Sequence, residues 1–493
     1  MSRALLVSPY VPMEVIYGSA ARGAGAILPP LGILYLASYL KSVGREGIEV
    51  LDANVLEWGP DQVMEKVKAS KPRLVGLTAT TLGFPYAVDV ARAVRAFDPT
   101  ITLVLGGPHA KGAKAEVFRT DPGVFDYLCY GEGELAFRSL LDFLDGKAPE
   151  SELKGFLYPK DGQVVTSPEA VTPLDLDPFG HPSEFVDPEW VPRYHEKVMA
   201  YKFRPMFAVY ASRGCPFHCT FCSSPNEFKE IFGRRMRLHS IRWMIDEIRI
   251  LQERFGVKEV IFVDDTFNLQ RKRVMEFSET LLKENLRLSW TCNFEAHIAD
   301  QTLLATMRKA GCWGIMIGAE SGDPKILKDL KKGITVEDLS QLGEWCEEAG
   351  IASRPSFILG TPTDTRESVL RTIDFAVNGR FHFPYFQLYV PIPGTEMFGI
   401  LAEHGRVLVK DRKEMAAAQV NYVPEGLDPE FLAKAFREAH LRSYLNFRMF
   451  RRHLKLIRNG RDLARYLTAG WAVARMALAA TNPRRLFQVK TAA

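Results

Sequence analysis

Cysteine is scarce in this chain, and its placement is uneven. Seven cysteines occur in 493 residues, three of them between positions 215 and 222. An odd count, mostly of isolated residues, excludes a disulfide framework and points to a reducing compartment. Long apolar runs are lacking too. No stretch reaches the ~18 unbroken apolar residues that a spanning helix needs. The nearest, YLTAGWAVARMALAA at 466–480, carries Arg475. The opening MSRALLVSPYV lacks the apolar core of a secretory signal, so the cytoplasm is the expected compartment. Internal repeats and low-complexity segments are missing too. Acidic residues almost vanish near the end: residues 434–493 hold fourteen Lys/Arg and two Asp/Glu, a net of +12, against −8 for residues 1–433.

What is present reads as a soluble α/β protein of about three domains. Residues 1–150 alternate short apolar runs (ALLVSPY, IEVLDAN, RLVGLTAT, ITLVLGG, FDYLCYG) with amphipathic stretches of helical period (LGILYLASYLKSVG, PDQVMEKVKAS, YAVDVARAVRAF, GELAFRSLLDFL). That alternation predicts a doubly wound, Rossmann-like parallel sheet whose ligands bind beyond the carboxyl ends of the strands. The segments Gly106-Gly107-Pro108-His109 and Gly131-Glu132-Gly133-Glu134 fall there. Glycines at such ends let the backbone approach a ligand, or simply make tight turns. Residues 151–200, rich in Pro, Asp and Glu, read as an irregular connector. From 201 to 425 six further strand–helix units predict a partial (βα)6 barrel with its site at the strands' carboxyl ends. Residues 426–493 read as a basic helical tail.

RGCPFHCTFCSSP, residues 213–225, directly follows the first barrel strand and sets Cys215, Cys219 and Cys222 in the pattern C-x3-C-x2-C. A structural zinc site is usually closed by four Cys/His ligands. His218 could be drafted as the fourth, making a small zinc knuckle, but it adjoins Cys219, and converging both on one ion would strain the loop. Three thiolates on a 4Fe–4S cluster instead leave one iron open to bind and activate a ligand. Cys292, Cys312 and Cys346 fall in predicted strand or helix and read as small buried hydrophobes.

With Phe221 as the aromatic before the third cysteine, the region 201–400 resembles the radical S-adenosylmethionine superfamily. The resemblance implies that the open iron is chelated by the amino and carboxylate groups of S-adenosylmethionine. An electron from the cluster would cleave that cofactor to a 5′-deoxyadenosyl radical, while the protein supplies orientation and a dry site. It implies Phe221, Asp264, Asp265, Glu320, Ser321 and Gly360 as contacts to S-adenosylmethionine. FVDDTF (262–267) stands where the family binds the methionine amino group, although the common Gly-Gly-Glu is absent. GAESG (318–322) resembles a subgroup's GIESG, with a plain helix-capping pair as the alternative. FILGTPTDT (357–365) resembles FILGxPxET with Asp364 in place of Glu, and PIPGTEMF (391–398) matches a PxPGT turn.

The first domain, with LPPLGILYLASYLKSVG near its start, is similar to the cobalamin-binding domain of one large subgroup. This implies cobalamin contacts at Thr78, Gly106, Gly107, Pro108, His109, Gly131 and Glu132. The Asp-x-His-x-x-Gly motif that carries an axial histidine elsewhere is missing, and residues 1–108 contain no histidine at all. Within the subgroup that absence implies cobalamin bound with its base displaced. Radical methylthiotransferases, with three more cysteines upstream, are disfavoured, since residues 1–200 hold only Cys129.

The resemblance implies a cobalamin-dependent radical methyltransferase acting on an unactivated carbon of a small molecule. The alternative in the same architecture is a cyclase or ring-rearranging enzyme of tetrapyrrole or polycyclic lipid biosynthesis. A zinc-bearing nucleic-acid-binding protein is the remote third reading, so nucleic acid is not the expected partner. A reductase, flavodoxin or ferredoxin would deliver the electron. In the tail, Leu441, Tyr444, Leu445, Phe447, Phe450, Leu454 and Ile457 recur at helical spacing beside Arg448, Arg451, Arg452, Lys455 and Arg458. That pattern predicts a helix lying on an anionic membrane surface that presents a hydrophobic substrate, or else a helix packed on the barrel with a solvated basic face.

Overall fold

The computed structural model describes residues 3–17, 25–170, 175–196, 201–224, 236–409, 415–416, 418–444, 446–457, 460 and 462–463. Strands β1 (Ala4–Ser8), β2 (Ile48–Asp52), β3 (Leu74–Thr78), β4 (Thr102–Gly106) and β5 (Tyr127–Cys129) lie parallel, in the order β2-β1-β3-β4-β5. Their side chains are buried on both faces, as the near-continuous apolar runs require. Helices α1 (Leu31–Ser42) and α5 (Gly133–Leu144) cover one face; α2 (Pro60–Ser70), α3 (Phe84–Phe97) and the short α4 (Pro108–Ala113) cover the other. The strand order reverses at β1/β3, which opens a crevice at the carboxyl ends.

The predicted connector begins too early. Residues 156–166 form a hairpin, β6 (Phe156–Lys160) and β7 (Gln163–Thr166), that extends the first sheet antiparallel from β5. Its turn is Asp161-Gly162, both at positive φ (50° and 76°). This is the two-residue hairpin signal that alternation alone overlooks.

The second sheet has six parallel strands in sequence order: β8 (Met206–Val209), β11 (Glu259–Phe262), β12 (Ser289–Phe294), β13 (Cys312–Glu320), β14 (Ala352–Leu359) and β15 (Tyr385–Leu388). The expected partial (βα)6 barrel is this sheet with helices α6 (Ile241–Phe255), α7 (Arg271–Lys283), α8 (Gln301–Lys309), α9 (Val336–Ala349) and α10 (Arg366–Asn378) outside it. The helix starts carry their own caps: Ser240 accepts from Trp243 N–H, Asp300 from Leu303 N–H, and Thr335 and Asp338 close a reciprocal box. Between β8 and β11 a two-rung antiparallel ladder, β9 (Ser212–Arg213) with β10 (Arg237–Leu238), ties together the two ends of the cysteine loop.

The boundary expected at 425 also moves. Helix α11 (Pro429–Tyr444) covers the last strand, and its Leu432, Ala435, Phe436 and Ala439 are part of the barrel's core. Without it β15 would be an uncovered edge. Helix α12 (Phe447–Leu456) then crosses to the concave side, where Leu456 packs with Trp313 and Ala352. The tail from 464 onward lies outside the described residues.

The two units meet tightly. Tyr194 Oη donates to Asp52 (2.9 Å), Tyr35 Oη to the Tyr210 carbonyl (3.1 Å), and a Cβ added at Gly112 of α4 would stand 2.3 Å from the Pro393 carbonyl oxygen. The PxPGT turn read in the sequence is therefore one of the places where the barrel touches the first domain. At the heart of the barrel Trp290 is fully buried, donates to the Ala310 carbonyl (2.9 Å) and sits 5.6–5.8 Å from the rings of Phe262, Phe267 and Phe277. Trp290→Ala should destabilise the barrel by ~3–5 kcal/mol through the cavity it leaves, read as a shifted midpoint in urea at unchanged slope.

Candidate active site

The chain after β8 turns sharply at Gly214 (φ 93°) and delivers Cys215, Cys219 and Cys222 into one cavity of about 520 Å³ at the carboxyl ends of the barrel strands. Phe217 and Phe221 line it beside them. Cys215 Sγ lies 3.7 Å from Thr266 Oγ1. His218 is exposed and is not among the cavity's lining residues, so the zinc knuckle loses its fourth ligand. Among the described residues no three His, Cys, Asp or Glu groups converge on a single ion. A cubane asks for something else, because each thiolate takes its own iron and only the loop must bring the three to one cavity. Burial pushes the Cys219 thiol up to about 12 and Cys222 to about 11, and raises Cys215 as well. Bound iron would reverse that, since a coordinating metal holds the thiol deprotonated.

The carboxylates expected to hold S-adenosylmethionine divide. Asp265 lines the cavity. Its neighbour Asp264 turns away: buried, it accepts from Ala211 N–H (2.8 Å) and from Ser212 Oγ, and burial raises it to about 7. It braces the base of the cysteine loop. Glu320 faces the cavity at positive φ (62°), raised to about 7 by burial against the opposing pull of Lys332. Ser321 does not reach the cavity; its hydroxyl is 2.9 Å from Thr372 Oγ1 and accepts from Asp323 N–H, the capping alternative. Gly360 (φ 82°) is also off the cavity, its N–H donating to Asp364, which further accepts from Thr361 N–H, Thr361 Oγ1 and Ser368 Oγ. That motif is a locked turn.

Sequence reading overlooked the polar centre of this cavity. Lys332, buried, donates to Glu295 at 2.9 Å and is held charged by Glu295 and Glu320 against the cost of burial. Asn293 donates to the Asp264 carbonyl (2.7 Å) and lines the same wall. Glu295 and Asn293 sit at the end of β12, a position that barrel geometry marks as functional. Lys332 lies in a loop after a helix and carries no such signal. Further from the cysteines the wall is Met316, Arg354, Phe383, Tyr385, and Met449 and His453 of α12.

A second cavity of about 400 Å³ opens between the strand ends of the first sheet and the cysteine loop. Thr78, Gly106, Gly107, Pro108, Gly131 and Glu132 line it, joined by Tyr35, Lys111, Glu134, Tyr210, Arg213 and Arg237. Gly107 (φ 89°) leaves no room for a side chain: a Cβ would meet Thr78 Oγ1 at 2.7 Å and the Ala79 carbonyl at 2.8 Å. His109 is a correction. It is buried beside Phe84, ring centroids 4.2 Å apart, and is not among the residues lining the cavity. Asp265 and Ser224 line both cavities, which therefore adjoin.

Family models match this arrangement in both halves: the B12 binding domain over residues 20–141 and the radical SAM superfamily over 209–376. An uncharacterized methyltransferase of Pyrococcus horikoshii is 31% identical over 427 residues, covering 86% of this chain and 89% of the relative. The anaerobic magnesium-protoporphyrin IX monomethyl ester cyclase of Rubrivivax gelatinosus is 29% identical over 425 residues, 85% of this chain and 74% of the cyclase. Among solved structures, the radical S-adenosylmethionine methyltransferase TsrM of Kitasatospora setae, with cobalamin and an iron–sulfur cluster, shares the fold at TM-score 0.65 and 21% identity, over 82% of this chain and 78% of that one. The cobalamin-dependent radical enzyme OxsB does so at TM-score 0.64 and 19% identity, over 78% of this chain, which spans about half (53%) of OxsB. The chain belongs to the radical S-adenosylmethionine enzymes, and within them to the cobalamin-dependent group that carries a B12-binding domain before the barrel. Its cofactors follow from that membership: a 4Fe–4S cluster and S-adenosylmethionine for the barrel, cobalamin for the first domain.

Gly107→Val should lower cobalamin affinity at least about tenfold by combining a strained φ with lost space, while His109→Gln should leave it unchanged. Cobalt retained per chain after gel filtration measures both.

Proposed function

We propose that the enzyme transfers a methyl group to an unactivated carbon of a small, partly apolar substrate. The observation that carries this reading is the adjacency of the two cavities, with the three thiols in one and the glycine-built cradle in the other. Cys215, Cys219 and Cys222 would hold the cluster, with Glu320, Asp265 and Lys332 placed to orient the polar groups of S-adenosylmethionine by charge-assisted hydrogen bonds. Thr78, Gly106, Gly107, Pro108 and Gly131 would form the cobalamin cradle. Bound there, the cofactors supply hydrogen abstraction by a 5′-deoxyadenosyl radical and a transferable methyl group. The chain's own part is to orient the substrate against Met316, Phe383, Tyr385 and Met449, and to exclude water behind Phe217 and Phe221. A flavodoxin- or ferredoxin-type donor in a reducing compartment would supply the electron.

The cyclase reading is supported by the second relative and uses the same parts without methyl transfer. Product mass separates the two. Methylation adds about 14 Da per event, with the methyl group labelled when S-adenosylmethionine carries a labelled methyl. A product without label, formed by wild type and lost in the Cys215→Ala/Cys219→Ala/Cys222→Ala variant, would replace methyl transfer with the cyclase.

The reading extends to where the substrate is met. None of the helices in the described residues is long and apolar enough to cross a membrane. Helix α12 instead presents Phe447 (76% exposed), Phe450 (56%) and Leu454 (50%) outward, beside exposed Arg448, Arg451 and Lys455. The expected stripe is thus confined to one helix that starts at the Asn446 cap, and two of its cations are otherwise engaged: Arg452 donates to the Gly379 carbonyl (2.7 Å) and Lys455 to Glu347 (2.7 Å). Leu445, Arg458 and the side chain of Tyr444 lie outside the described residues. We take the outward face as a contact for an anionic leaflet, each exposed cation contributing roughly 1 kcal/mol within a Debye length of about 8 Å. Arg448→Gln with Arg451→Gln should therefore cost ~2 kcal/mol of binding to phosphatidylserine vesicles, with affinity falling as salt rises. Wild-type protein that ignores such vesicles at low salt would make α12 a packing element alone.

A further inference from the structure

The charged group in the wall of the second cavity has a geometry that ligand contacts alone do not require. In the β9/β10 ladder Arg213 stands directly opposite Arg237. The cysteine loop leaves through the first, two residues before Cys215, and the chain returns through the second. Both arginines reach across to the start of α5: Glu132 at its N-cap and Glu134 in its first turn. Arg237 closes a fork on Glu132, Nη1 donating to Oε2 at 2.6 Å and Nη2 to Oε1. Arg213 Nη2 is 2.7 Å from Glu134 Oε1, and its Nη1 is 3.7 Å from Glu132 Oε2. Tyr35 of α1 lies flat under the Arg213 guanidinium, 4.8 Å from ring centre to charge centre. Arg237, Glu132 and Glu134 are 2%, 7% and 3% exposed.

Two cations and two anions thus cancel in the cavity wall, all but Arg213 nearly withdrawn from water. Stability does not explain them. Taking each ion out of water costs several kcal/mol, and apolar side chains of the same volume commonly do as well or better. A fork of two parallel hydrogen bonds offers what apolar packing lacks, a fixed direction and register. Here the register is that of the cysteine loop relative to the cobalamin cradle, at both ends of the loop at once.

We propose that Glu132, Glu134, Arg213 and Arg237 are positioning residues that lock the base of the cluster loop onto the cobalamin-binding domain, so that the two cofactor cavities are set as one unit. The proposal rests on the reading that both cavities take cofactors. Glu132 then serves the cobalamin site through the cluster loop, in place of the direct ligand contact that its sequence position implies. Because ligand binding on either side of the lock restricts the same loop, the two sites should be thermodynamically coupled, with equal factors in each direction.

The test uses the full chain, anaerobically reconstituted with iron and sulfide, with hydroxocobalamin and S-adenosylmethionine as probes. In wild type, saturating hydroxocobalamin should tighten S-adenosylmethionine binding about tenfold, and the reverse titration should give the same factor. In Arg213→Gln and in Glu134→Gln the factor should fall to about one. Arg213→Lys, which keeps the charge but loses the planar guanidinium between Glu134 and Glu132, should retain part of it. Glu134→Asp keeps the charges balanced and shortens the reach, so it carries the test if the Gln variants do not fold; its factor should also drop. A factor unchanged in these variants would mean that the ligands touch each other directly, and would overturn the lock. So would loss of hydroxocobalamin affinity alone, with S-adenosylmethionine affinity and iron content intact, since the four side chains would then be plain ligand contacts. Failure of wild type to bind either probe would instead remove the two-cofactor reading itself.

Discussion

Glu132 and Glu134 meet Arg213 and Arg237 at the place where the carboxyl ends of two parallel sheets face each other, and much else in the molecule is arranged around that meeting. A doubly wound sheet and a partial barrel each bind ligands beyond their carboxyl strand ends. To share a reaction, the two must be turned face to face and held at short range. The glycine at 112 lets α4 touch the Pro393 carbonyl, and the Tyr194–Asp52 and Tyr35–Tyr210 hydrogen bonds join the units elsewhere. Small residues and buried polar pairs set that closeness because large apolar side chains would hold the backbones apart.

The same closeness dictates the electrostatics of the site. Burial outweighs the nearby cations, so Asp264 and Glu320 rise in pKa in spite of Arg273 and Lys332, and the Cys219 thiol rises too. Of these groups, the cysteines and Glu320 line the cavity, where an approaching positive charge would favour their ionised forms; Asp264 is spent on the base of the cysteine loop. Lys332 keeps Glu295 and Glu320 from repelling one another in the same wall, which is the reason a lysine can stay charged there.

The last helices serve two surfaces with one element. Helix α11 finishes the barrel's outer layer. Helix α12 turns Met449 and His453 into the cavity and Phe447, Phe450 and Leu454 outward. His453 donates to the His382 carbonyl at 2.6 Å and stacks on Phe383 at 4.5 Å, so the inner face is fixed by directed contacts while the outer one is left to whatever it meets.

Read by itself, the sequence determined the order of strands and helices, both sheet types, the cysteine loop and the glycine cradle. Each of these is local: a two- or 3.6-residue period, or residues within one turn of chain. Only the tertiary structure separated Asp265 from Asp264 and Glu320 from Ser321, because adjacent residues on a strand end point to opposite sides and one sequence motif spans both. It likewise withdrew His109 from the cavity, attached the Phe156–Thr166 hairpin to the first sheet and made α11 part of the barrel. Lys332, and the pairing of Glu132 and Glu134 with Arg213 and Arg237, lay beyond sequence reasoning altogether. Their partners are 37 residues away for Lys332 and 79 to 105 for the glutamates, and no local pattern records which distant charge will be buried against which.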